Sequence, residues 1–65
     1  MINTNKLKGK IAEMGLSQSD LAKKINIAPK TFYEKMKKGV FTNLEIEKMA
    51  KVLKIENIVS IFFTD

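Results

Sequence analysis

The chain has no cysteine, no histidine and no arginine, and these absences narrow its chemistry before any motif is considered. Without cysteine there is no disulfide to staple a small fold and no thiolate to ligate zinc. Without histidine the commonest general base near neutral pH is missing, together with the other usual zinc ligand. An enzyme is therefore not expected, nor is a cofactor or a metal centre. No stretch approaches the run of about 20 apolar residues that a membrane span needs. The amino-terminal INTNKLKGK also lacks the apolar centre of a secretory signal. A chain of 65 residues is read as one domain over 1–65, with a core too thin to enclose a substrate pocket. The expectation is a soluble, cytoplasmic binding module with neither a membrane partner nor a small-molecule substrate.

What is present is lysine. All twelve basic residues are lysine, for a net charge of +5. Residues 1 to 38 hold Lys6, Lys8, Lys10, Lys23, Lys24, Lys30, Lys35, Lys37 and Lys38 against Glu13, Asp20 and Glu34, giving +6. The remainder sets Lys48, Lys51 and Lys54 against Glu45, Glu47, Glu56 and Asp65, giving −1. A basic half beside a near-neutral half suits a phosphate-facing surface backed by a structural or self-associating one. Lysine meets phosphate as a point charge and lacks the planar fork of arginine, so much of any affinity for nucleic acid would be electrostatic. A genome biased toward A and T codons produces the same composition without functional meaning.

Residues 17 to 39, SQSDLAKKINIAPKTFYEKMKKG, read as two short helices meeting at a tight turn. Ser17 and Asp20 have capping-box spacing, which starts a helix at Gln18. Leu21, Ala22 and Ile25 share one face of it. Asn26 tolerates the left-handed conformation that turns a chain out of a helix, and Ile27 closes the corner from inside. Pro29 fits only the first turn of a new helix, so the second helix begins there and carries Phe32 and Met36 inward.

The flanking segments are helical as well. Asn3 or Thr4 caps a first helix whose Leu7, Ile11 and Met14 form a stripe, and Gly15 stands where a left-handed residue is wanted. Gly9 in its middle is unfavourable by roughly 1 kcal/mol against alanine, and is read as allowing close approach of backbone or phosphate. Thr42 and Glu45 form a second capping box ahead of an Ile46, Met49, Ala50, Leu53 stripe. Phe41 is expected to plug the core between the third and fourth helices. For the final ENIVSIFF the apolar spacing suits a short helix while the β-propensity suits a strand. The helix is preferred, which makes five.

At this point the residues resemble a known family. The run GLSQSDLAKKINIAPKTFYEKM resembles the helix-turn-helix of the phage repressor and Cro class of transcriptional regulators. FTNLEIEKMAKVLKI with the later IFF is similar to small Gram-positive phage regulators of that class. The resemblance covers about Leu7 to Phe63, and its most specific parts are Gln18, Leu21 and Ala22 and the Gly39, Phe41, Thr42, Glu45, Ile46 run. It implies an all-α, compact five-helix bundle of the lambda-repressor-like kind, with the helix-turn-helix at about 18–38. Two residues depart from the pattern. Asn26 stands where the family often has glycine, and Ala28 where serine or threonine commonly caps the recognition helix.

The resemblance implies a sequence-specific regulator in a bacterial cytoplasm, of phage or prophage origin, bound to a double-stranded DNA operator with residues 29–38 in the major groove. Gln18 would bond a phosphate. Ala28, Lys30, Thr31, Tyr33, Glu34, Lys37 and Lys38 would line the duplex, with lysine donating to guanine and Thr31 or Tyr33 touching a thymine methyl or a phosphate. Glu34 has two readings: acceptor from cytosine N4, or helical ion-pair partner of Lys30 or Lys38. Lys35 also has two, with its ammonium meeting a phosphate or an acid of the fourth helix. Ile58, Ile61, Phe62 and Phe63 are left over as a homodimer surface, because neighbouring Phe62 and Phe63 cannot both enter one small core; the alternative is a monomer in which Phe63 folds back over the fourth helix. The alternative function is a helix-turn-helix that binds protein, as an antirepressor or antitoxin-like partner would.

Overall fold

The computed structural model describes residues 2–57 and Val59, and in them the chain forms four helices: α1 (Thr4–Glu13), α2 (Gln18–Lys24), α3 (Pro29–Lys38) and α4 (Asn43–Leu53). The amino end of each helix is set by chemistry within four residues of its cap. The Asn3 side chain accepts from the Lys6 amide at 3.1 Å. Ser17 with Asp20, and Thr42 with Glu45, form reciprocal capping boxes in which hydroxyl and carboxylate each satisfy a free backbone amide. α3 starts differently. Ala28 offers no side-chain cap, and Pro29 takes the first helical position, where a missing amide hydrogen is harmless.

Each start also carries an apolar pair five residues apart, one just before the cap and one in the first full turn: Ile2 and Leu7, Leu16 and Leu21, Ile27 and Phe32, Phe41 and Ile46. These are the positions of a hydrophobic staple, which fixes the angle at which the chain enters a helix. All eight side chains belong to the core or pack against it.

The carboxyl ends repeat a second device. Gly15, Asn26, Gly39 and Lys54 have φ of 73°, 61°, 70° and 55°. The amide of the next residue then reaches back to a carbonyl five residues earlier: Leu16 to Ile11, Ile27 to Ala22, Val40 to Lys35 and Ile55 to Ala50. This is the Schellman arrangement. At the first two junctions one apolar residue, Leu16 or Ile27, both follows the left-handed residue and precedes the next cap. Between α3 and α4 two residues rather than one separate the left-handed Gly39 from the cap Thr42, so Phe41 enters the core and Val40 remains 60% exposed.

The core gathers one stripe from each helix: Leu7 and Ile11, Leu21 and Ala22, Phe32 and Met36, then Ile46, Met49 and Leu53. Fully burying one such side chain contributes about 1.5–3 kcal/mol. Phe32 lies against Phe41 with ring centroids 5.4 Å apart and planes tilted by 55°, which is where Phe41 was expected. No polar or charged side chain is buried among the described residues. α2 packs chiefly on α3 and also touches α1 and α4, so it is the element around which the others are arranged.

The expected five-helix bundle is corrected to four helices among the described residues, with no strand. α4 stops at Leu53 because Lys54 turns left-handed. Of the segment expected to form a fifth helix only Glu56, Asn57 and Val59 are described, and the expected dimer surface of Ile58, Ile61, Phe62 and Phe63 lies outside the described residues. Gly9 is a second correction. A Cβ built there meets nothing within 4 Å, so no protein backbone approaches it.

Candidate nucleic-acid interface

α3 is amphipathic, and its two faces divide cleanly. Phe32 and Met36 are buried four residues apart. That orientation leaves Lys30, Thr31, Tyr33, Glu34, Lys37 and Lys38 exposed, with Tyr33 48% accessible. The structure therefore brings together on one helix six of the eight residues singled out from the sequence. The other two lie at neighbouring helix starts: Gln18, half-buried, is the first residue of α2, and Ala28, exposed, is the residue ahead of Pro29.

The turn that presents α3 is held by backbone bonds. Ile27 donates to the Ala22 carbonyl at 2.9 Å and Asn26 to the Lys23 carbonyl at 3.2 Å, while Phe32 donates to the Ala28 carbonyl at 3.0 Å. With Ile25 buried beneath it, the turn fixes α3 against α2 by main-chain geometry and apolar contact, without a side-chain cap.

Electrostatics leave this surface positive. Glu34 makes no ion pair with Lys30 or Lys38 among the described residues, so its carboxylate is the one acidic group on an otherwise basic helix. Lys35 differs from its neighbours. It is half-buried, and its ammonium donates to Glu45 Oε2 at 2.6 Å. Of the two readings of Lys35, the acid of the fourth helix is the one realised. Burial alone would push the Glu45 carboxyl up, but hydrogen bonds from the Lys35 ammonium and the Thr42 amide, with the lysine charge, hold it below its ordinary 4.5. Asp20 also lies below its ordinary 3.8, chiefly through the Ser17 amide and then the Ser17 hydroxyl. On α1, Lys10 and Glu13 pair at 3.6 Å at the surface, a contact worth less than about 1 kcal/mol.

Ile2 was missed from sequence. It is buried, and its amide donates to the Gly39 carbonyl at 3.0 Å, pinning the start of the chain to the end of α3. The five-residue spacing of Ile2 and Leu7 around Asn3 was the signal for it. Also unanticipated are two exposed apolar side chains, Val40 just after α3 and Leu44 in the first turn of α4, each 60% accessible. Elsewhere, Met14, Leu16, Lys24 and Val52 line an open groove whose only charge is the lysine. No protein-family model, no curated protein and no solved structure gives a match to this chain.

Proposed function

We propose that the chain is a sequence-specific, double-stranded DNA-binding regulator of the repressor or Cro kind, in which α2 and α3 form a helix-turn-helix and α3 is the recognition helix. The observation that carries this reading is the division of α3: its apolar side is spent on the core, and its outward side bears Lys30, Thr31, Tyr33, Lys37 and Lys38 together. A ten-residue helix of about 15 Å, presented this way on a small basic domain, suits the major groove. On this reading Lys30 and Tyr33 read base edges, Glu34 accepts from cytosine, and Gln18, Lys37 and Lys38 hold phosphates. The regulator acts in the bacterial cytoplasm and, through Ile58, Ile61, Phe62 and Phe63, pairs across two half-sites about one helical turn apart. Sedimentation with and without a palindromic duplex tests that pairing.

The second reading, a module that binds another protein, draws on one observation, the exposed Val40 and Leu44. A selection from random duplexes followed by salt titration separates the two. With about five phosphates neutralised, the logarithm of the association constant falls against log salt with a slope of roughly −4 to −5. Lys37→Ala or Lys38→Ala flattens it by about one unit and weakens all duplexes alike, whereas Lys30→Ala erodes the preference for the selected duplex by about 1–3 kcal/mol. A chain that enriches no duplex overturns the DNA reading. An unchanged slope removes both lysines from the phosphate contacts.

A further inference from the structure

The junction between α3 and α4, residues 39–42, is as long as the other two but carries bonds from outside itself. Lys35 supplies two kinds of these bonds. Its carbonyl accepts from the amides of Gly39 at 2.8 Å and Val40 at 3.2 Å, and its ammonium reaches across to Glu45 Oε2 at 2.6 Å. Glu45 in turn takes the Thr42 amide on its other oxygen, Oε1, at 2.8 Å, which holds the far end of the junction. From the opposite side the Ile2 amide donates to the Gly39 carbonyl.

The Schellman bonds after Gly39, the cap of Thr42 with Glu45 and the staple of Phe41 with Ile46 hold this junction as their counterparts hold the other helix ends; what is added here is the Lys35–Glu45 ion pair and the bond from Ile2 to Gly39. The ties act on what the junction displays. Lys37 and Lys38 lie just before it, Val40 within it and Leu44 just after it, all of them exposed.

We propose that Lys35 and Glu45 are positioning residues: their ion pair keeps the outward surface of residues 37–44 in register with the outward face of α3, and so sets discrimination between duplexes more than overall affinity. The proposal rests on the DNA-binding reading above. Neither side chain touches the nucleic acid. Lys35, the one inward lysine of α3, is held away from the outward face by its bond to Glu45. A displaced junction leaves every phosphate contact available to a sliding, unspecific complex but spoils the fit that a correct site requires.

Glu45→Gln isolates the ion pair, because glutamine at this place of a capping box still accepts from the Thr42 amide and so retains the α4 cap. Lys35→Met removes the same pair from the other side while leaving the aliphatic stem, and Lys35→Arg restores it. The experiment measures binding of each variant, at a temperature where circular dichroism shows it fully helical, to the duplex selected by the wild-type chain and to a scrambled duplex of equal length. The expected result is a roughly tenfold fall in the ratio of the two affinities for Glu45→Gln and Lys35→Met, with affinity for the scrambled duplex within about threefold of wild type and the ratio retained in Lys35→Arg. If the folded variants keep the wild-type ratio, the pair is only a structural brace and the proposal is wrong. Equal losses on both duplexes also overturn it, by making Lys35 a phosphate contact. A wild-type chain that distinguishes no duplex brings down the proposal together with the reading beneath it, and the wild-type arm alone identifies that failure.

Discussion

Gly9→Ala should stabilise this protein, through effects confined to α1 and to the unfolded chain. Gly9 sits in the interior of α1, without the positive φ that marks Gly15 and Gly39, so its backbone conformation is one that alanine prefers. The new methyl meets no atom within 4 Å and points to solvent, so it introduces no clash. What remains is the difference in backbone freedom of the unfolded chain and in helix propensity, about 0.5–1 kcal/mol in favour of alanine. For a domain of this size that raises the melting temperature by about 2–8 °C. With a urea dependence near 1 kcal/mol per molar, it moves the urea midpoint upward by about 0.5–1 M. Thermal and urea unfolding followed by far-ultraviolet circular dichroism, which reports helix content, measure both. A lower midpoint would refute the reasoning, because it requires Gly9 to be held in a non-helical conformation or in a close contact. An unchanged fold with weakened duplex binding would instead restore the role first read from sequence, a glycine that lets phosphate approach α1.

Phe32→Ala should abolish the cooperative fold: the ring is fully buried against Phe41, and its loss removes about 3–5 kcal/mol from a domain whose whole stability is about 3–10 kcal/mol, so the thermal transition should vanish or broaden. A variant that stays folded but fails to bind DNA would mean that α3 is rotated about its axis, with Phe32 facing outward. Acid should destabilise the chain through Asp20 and Glu45. Both carboxyls are lowered in the folded state, so their contribution is complete above their ordinary values of 3.8 and 4.5 and is lost as pH falls through the lower folded values. Urea midpoints measured from neutral pH downward should stay level until about pH 4.5 and then fall, with a shallower fall in Glu45→Gln; no histidine is present to add a transition nearer neutrality.

The four helix starts, the ends of the first three helices and most of the inward residues were legible in the sequence because they are decided over short distances along the chain, whereas the end of α4 at a left-handed Lys54 was not. Ser17 with Asp20, Thr42 with Glu45, Pro29 after Ala28, and the left-handed Gly15, Asn26 and Gly39 each act within one helical turn, and Phe32 with Met36 share a face by helical period alone. The outward residues of α3 followed from those inward ones by subtraction. The partner of Lys35 was a different kind of question. Phosphate and an acid of the fourth helix were both open, and only the tertiary placement of the start of α4, which like α3 contacts α2, brings Glu45 to 2.6 Å. In the same way the burial of Ile2 against the end of α3, and the exposure of Val40 while Phe41 turns inward, depend on elements meeting that are far apart in the chain or one residue out of step. Local backbone chemistry determined where each helix starts and stops. Tertiary packing decided which surface the junction after α3 displays, because that surface is set by bonds between helices and not within them.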